Sequence, residues 1–363
     1  MIFNSIIPLP YYTPLFYNII LFIILTAFLN LQVKGYVIYN NNKKEYASLF
    51  LLLFVVLYMG LRPISFVFGD MGIYNKYFKY YASGGEITNY KDYVWRIFMK
   101  FSSGIMSAKQ FFLVCAILYI LPLYMAAKKW FGVDRYFIFL MLIASFSFWP
   151  YGTNGIRNGI ATSFIIYGLS FSQKKYIRYA IFILAYFMHG SVIIPIAAYV
   201  LSYFYKNTKF YLLGWLIAIP LSLTLGSFWE NLFVSIGFGG DRLAYLTDDR
   251  YLDQFSSLGF RWDFLLYSAT AVYAGYYFIF KKNFKDKVYQ QLFNIYITSN
   301  AFWVLVIRAS FSNRFAYLSW FLMALIIFYP FFKQQFFKKQ QRVLAYTVLI
   351  YFSFTYIMFL IGK

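Results

Sequence analysis

Apolar residues occur in long runs separated by short clusters of lysine and arginine. Crossing about 30 Å of hydrocarbon as a helix takes about 20 predominantly apolar residues. Stretches of this kind lie near 15–33, 47–62, 108–127, 136–151, 155–172, 177–189, 191–205, 210–227, 263–280, 291–307, 315–332 and 343–361. The pattern predicts an all-α fold, a polytopic integral membrane bundle of about 12 transmembrane helices. Between 177 and 205 only Gly190 and Pro195 interrupt the run, so that stretch reads either as two spans or as one kinked helix plus a re-entrant piece. Segments 63–107 and 228–262 are too long for plain connectors. Both are rich in Tyr and Phe with helical apolar spacing, as at Tyr74, Tyr77, Phe78 and Tyr81, which predicts short interfacial helices in both. The whole of 1–363 reads as one integral membrane domain, with 63–107 and 228–262 on its outer side.

Composition strengthens this reading. The 363 residues are 62% hydrophobic and only 12% charged, against about 25% charged in a soluble globular domain. The single Cys115 excludes a disulfide framework within the chain and a cysteine cage for zinc, and the single His189 excludes multi-histidine metal sites. A formal net charge of +21 would suggest nucleic acid in a soluble protein, but here the charges sit between apolar runs and set topology instead. Alternate loops carry 19 of the 33 basic residues and only three acids, Glu45, Asp134 and Asp286, a net +16 against +5 on the other side. The +16 side is cytoplasmic by the positive-inside rule, and both termini then lie outside. The stretch before residue 15 has no basic n-region or cleavage site and does not read as a signal peptide.

Arginine placement changes the picture further. The cytoplasmic loops use lysine for 16 of their 19 basic residues, whereas Arg62, Arg157, Arg308 and Arg314 mark the outer ends of spans. Arginine offers a planar fork suited to bidentate phosphate recognition and keeps its charge. Arg157 and Arg308 fall within or directly after apolar runs, where a charge is costly unless paired. A structural ion pair with Asp70 or Asp263 is the alternative to ligand binding for these two, and a snorkelling anchor is the alternative for Arg62. His189 and Asp70 face the same outer compartment and are the candidate proton acceptors. Tyr74, Tyr77 and Trp262 could offer flat faces to sugar rings, or simply belong to an interfacial aromatic belt. The acidic run Asp241, Asp248, Asp249 and Asp253 fits no cation-loop spacing and reads as a solvated loop.

Five segments together resemble the EpsG family of bacterial polysaccharide polymerases, of the Wzy type. They are Gly60-Leu-Arg-Pro-Ile-Ser through Phe68-Gly-Asp-Met, Asn154-Gly-Ile-Arg-Asn-Gly, Met188-His-Gly-Ser, Gly259-Phe-Arg-Trp-Asp-Phe, and the long stretch from Asn300 to Tyr317. The resemblance implies a GT-C-like membrane glycosyltransferase in the bacterial inner membrane. Its substrate would be undecaprenyl diphosphate-linked oligosaccharide, joined into capsular or exopolysaccharide at the periplasmic face. On that reading Arg157, Arg308, Arg314 and Arg62 bind the donor diphosphate, and His189 ranks ahead of Asp70 as base. No metal or other cofactor is required. The partners would be the growing polysaccharide chain, membrane lipid, and a chain-length regulator with export machinery, with no nucleic acid. A lipid-linked oligosaccharide flippase is the alternative from another class, although no internal repeat of the transporter kind is visible. A membrane acyltransferase is disfavoured by the outward placement of His189.

Overall fold

A computed structural model describes residues 7–33, 41–88, 92–235, 259–309 and 312–362, with no strand among them. In chain order the helices are α1 (Leu9–Val33), α2 (Asn41–Gly60), α3 (Met71–Ala82), α4 (Tyr93–Ile105), α5 (Ala108–Phe131), α6 (Arg135–Ile143), α7 (Phe148–Thr153) and α8 (Ile156–Leu169). There follow α9 (Lys175–Met188), α10 (Ile193–Phe204), α11 (Thr208–Ser235), α12 (Trp262–Tyr276), α13 (Lys287–Leu305), α14 (Asn313–Trp320), α15 (Met323–Phe328) and α16 (Gln340–Ile361). They divide into two compact units, Met1–Met188 with Phe331–Lys363, and His189–Pro330.

Every predicted span coincides with helix, but length separates them into classes. Five stretches are long and apolar enough to cross a membrane: Leu9–Gln32, Ala108–Ile143, Thr208–Trp229, Asn313–Phe332 and Gln340–Ile361. Others are short. The run 177–205 resolves into two separate helices, α9 and α10, of 14 and 12 residues. At 1.5 Å per residue these reach about 21 and 18 Å, short of the hydrocarbon thickness. The run 136–151 is likewise broken between Ile143 and Phe148. There the Ser145 hydroxyl donates to Leu142 O at 2.8 Å, a local bond that competes with helix continuation. Segment 63–107 holds two short helices, α3 and α4, as its spacing predicts, and most of 228–262 lies outside the described residues. The acidic run Asp241 to Asp253 lies outside the described residues.

In the first unit α1 packs on α16, α2 on α5, and α5 on α8, which in turn covers α9. Helix α5 begins at a capping box, with Ser107 Oγ accepting from Gln110 N while Gln110 Oε1 accepts from Ser107 N at 2.8 Å. At the lysine-rich end, Lys44 meets Asp134 at 3.0 Å and Arg135 meets Glu45 at 2.7 Å. Arg135 also donates to Gly132 O and to the Tyr124 hydroxyl. Two acids of the lysine-rich loops are thereby committed to holding α2 against the α5–α6 turn. The third, Asp286, caps α13 by accepting from Tyr289 N at 2.8 Å.

The second unit is organised around α13, which packs on α10, α11 and α14. Its centre is polar. Trp215 Nε1 donates to Asn300 Oδ1 at 2.7 Å, and Asn300 Nδ2 donates to Ser319 Oγ at 2.9 Å and Ser268 Oγ at 3.1 Å. Trp320 Nε1 donates to the same Ser268 Oγ at 2.7 Å. Asn300, Ser268 and Ser319 are fully buried, so their pairing joins four helices through groups that are costly to leave unmet in an apolar medium.

Candidate functional site

The candidate residues divide between the two units, Arg62, Asp70, Tyr74, Tyr77 and Arg157 in the first, His189, Arg308, Arg314 and Trp262 in the second.

In the first unit, Arg157 stands one residue into α8 and reaches across to α3 and α4. Its Nη1 donates to Asp92 Oδ2 at 2.6 Å, and its Nε donates to the Tyr74 hydroxyl at 3.1 Å. The side chain of Asp92 is 7% exposed and that of Arg157 21%. Neither partner expected from the sequence, Asp70 or Asp263, holds Arg157. The ion pair is with Asp92, 65 residues away in the chain. Asp92 is the residue before α4 and has φ 51°, a left-handed conformation that Asp and Asn tolerate better than other side chains. Asp70, half-buried at the start of α3, adds a second carboxylate that acts electrostatically on both Arg157 and Tyr74. Burial pushes the Tyr74 hydroxyl up from its ordinary pKa while the Arg157 guanidinium opposes that shift, so Tyr74 stays protonated. Its ring is 6% exposed, edge-on to Trp95 and beneath Arg157, and is not an open platform for a sugar. Tyr77 is 46% exposed, with the Arg96 guanidinium 5.9 Å from its ring centre.

Arg62 is 3% exposed. Its Nη1 donates to Met59 O, its guanidinium lies 5.6 Å from the Phe68 ring centre, and its Nε and Nη2 are buried without a hydrogen-bond partner. That position gives it no fork open to a ligand.

In the second unit, Arg308 follows α13 and is exposed. Its Nη2 donates to Leu223 O at 3.3 Å. The acceptor is available because α11 kinks at Leu225, where φ −126° and ψ 31° leave the helical region. Gly226 clears the space beside it, since a Cβ there would stand 3.3 Å from Arg308 Cδ. Arg314 lies in the first turn of α14, and both it and Arg261 act on the Tyr317 hydroxyl. Arg261, which was not singled out from the sequence, grips Asp263 through two bonds of 2.9 and 2.6 Å and lies 3.7 Å from the Phe264 ring centre. Arg261 and Arg314 thus meet at Tyr317 with Asp263 as the carboxylate, while Arg308 bonds to the main chain of α11. Trp262 is 55% exposed, its ring 4.4 Å from that of Phe260.

His189 caps the turn before α10. Its Nδ1 accepts from Ser191 N at 3.1 Å and lies 2.8 Å from Ser191 Oγ. A backbone N–H can only donate, so Nδ1 carries the lone pair and the ring proton of neutral His189 sits on Nε2. The ring then presents a donor, not a proton acceptor, at its other nitrogen.

No curated protein and no solved structure matches the chain significantly. The profile described as EpsG family matches residues 60–363, a span containing every residue of both clusters. The chain is all-helical, carries apolar helices suited to a membrane, and belongs to the EpsG family.

Proposed function

We propose that this chain polymerises undecaprenyl diphosphate-linked oligosaccharide repeat units into capsular or exopolysaccharide at the periplasmic face of the inner membrane. An acceptor hydroxyl attacks the anomeric carbon of the donor sugar, the bond from that carbon to the diphosphate oxygen breaks, and the lipid diphosphate leaves. The hydroxyl proton passes to a protein base. The observation that carries this reading, together with the family, is the arginine content of the second unit: Arg314 and Arg261 act together on Tyr317 with Asp263 beside Arg261, and Arg308 is exposed with only a main-chain carbonyl as its hydrogen-bond partner among the described residues. Charge grows on the leaving diphosphate in the transition state, and fixed cations that meet it there lower the barrier.

Arg308 and Arg314 are assigned to the diphosphate. Arg157 is paired with Asp92 and Arg62 is enclosed, so both are set aside from that role. Asp70 is assigned as the base ahead of His189. No hydrogen bond to its carboxylate is made among the described residues, whereas the lone pair of His189 is engaged by Ser191. Twelve passages with both termini outside remain the proposed topology, with the short helices completing it as pairs or re-entrant pieces. Cysteine labelling at positions 43 and 284 should report the cytoplasm, and periplasmic labelling at either would reverse the orientation.

The test of function is chain-length analysis of surface polysaccharide after deletion. Loss of a polymerase leaves single exported repeat units, and that is the expected outcome. Absence of any exported unit would favour a flippase and overturn the assignment.

A further inference from the structure

Two chain segments far apart in sequence grip each other at the start of α3. Asn154 Oδ1 accepts the backbone N–H of Asp70 at 2.9 Å, and three residues later Arg157 Nε donates to the hydroxyl of Tyr74, four residues after Asp70. Spacings of three and four place each pair on one face of its helix or turn. Asn154 and Arg157 therefore clamp the first turn of α3 at two points. The clamp is itself anchored, because Asp92 holds Arg157 from α4.

Gly69 shows how closely the two segments approach. It has φ +63°, and a Cβ at that position would lie 2.3 Å from Asn154 Oδ1. The glycine is needed both for its backbone conformation and for the room that Asn154 occupies. Because the oxygen of Asn154 must face a backbone donor, the orientation of its amide is fixed.

From this geometry we infer that Asn154 is a positioning residue for the reaction, holding the Asp70 carboxylate where it takes the proton of the acceptor hydroxyl. The inference rests on the assignment of Asp70 as base. The charged and titratable groups that interact with Asp70 among the described residues are Tyr74 on its own helix and Arg157 from α8, and Asp92 at the start of α4 acts on the same two groups. One cation stands among two carboxylates, a balance suited to a neutral hydroxyl and unfavourable to a diphosphate.

The experiment uses the full chain in lipid nanodiscs with lipid-linked repeat units taken from a strain lacking it. Asn154→Ala removes the bond to the Asp70 N–H and should lower kcat about tenfold with little change in KM, as expected for a misplaced proton acceptor. Gly69→Ala should do the same by displacing Asn154. Asn154→Asp keeps an oxygen for the N–H, so the local structure stands, but sets a like charge beside Asp70. It should restore kcat at high pH and move the acidic limb of the pH–rate profile upward by about one unit. A purely structural residue would leave that limb in place. Wild-type kcat in Asn154→Ala, or an unshifted limb in Asn154→Asp, overturns the inference. Asp70→Asn separates the two levels. If it is inactive while both Asn154 variants behave as wild type, only the positioning role fails, and if it is fully active, the base assignment fails and the inference with it.

Discussion

The cluster around Arg157 in the first unit and the arginines of the second unit combine the same residue types in opposite balance. Around Arg157, one guanidinium stands among Asp92 and Asp70, with Asp92 nearly enclosed. In the second unit, Arg261 is matched by Asp263, Arg314 joins it near Tyr317, and Arg308 is exposed with a main-chain carbonyl as its hydrogen-bond partner. An arginine with a buried counter-ion is a structural cation, because a ligand that displaced the carboxylate would leave that charge unpaired. An exposed arginine bonded only to a carbonyl keeps most of its fork for an anion. Two arginines that look alike in sequence, each beside an apolar run, are thus separated by their partners.

The sharpest way to break that contrast is to remove the first cation. Arg157→Gln strands the Asp92 carboxylate and should destabilise the protein by about 3 to 5 kcal/mol. Adding Asp92→Asn should recover much of the loss, since Asn suits the left-handed conformation at that position. Thermal unfolding in detergent reads both, and a single variant as stable as wild type would mean the ion pair holds nothing. The reverse result is expected in the second cluster. Arg308→Lys should leave stability within about 0.5 kcal/mol, as for exposed positions generally, yet slow polymerisation by about 10²- to 10³-fold. Retained activity in both Arg308→Lys and Arg314→Lys would remove the diphosphate from this cluster.

The sequence makes the helices legible and the partnerships much less so. Hydropathy finds the helices of the twelve apolar runs, because apolar composition is local information, while α3 and α4 show in the spacing of their aromatic residues. It does not find the break after Ile143, where Ser145 and Ser147 interrupt the helix without any charge to lower the average. At the site, the sequence predicts an acid beside Arg157, but Asp92 and Asp70 look equivalent as acids between the second and third apolar runs. The choice depends on a contact across 65 residues. Asn154 sits in the same short motif as Arg157, and its spacing of three was visible, yet its partner Asp70 lies 84 residues away. Arg261 carries no distinguishing local signal beyond the acid two residues on.

A smaller effect comes from the buried polar network of the second unit. Asn300→Leu deprives Trp215 Nε1 of its acceptor and two serine hydroxyls of their donor in a buried setting. Interhelical hydrogen bonds within membranes average about 0.6 kcal/mol each, so a total near 2 kcal/mol is expected. The loss should appear as a lower unfolding temperature before any change in substrate affinity. An unchanged unfolding temperature would mean that the network contributes no net stability.

The smallest expected effect concerns Arg62, the third kind of arginine in this molecule. It is more enclosed than Arg157, and among the described residues it has no carboxylate partner and two of its three guanidinium nitrogens make no hydrogen bond. Its desolvation is offset by Met59 O and the face of Phe68 rather than by a carboxylate among the described residues. Replacing a poorly compensated buried charge by an apolar side chain of similar volume is commonly neutral or stabilising. Arg62→Met should therefore raise stability by about 1 kcal/mol or leave it unchanged, and polymerisation should persist. If Arg62→Met inserts normally but no longer polymerises, Arg62 belongs with Arg308 among the substrate-binding cations. Burial would then have been the wrong criterion for dividing the arginines of this chain.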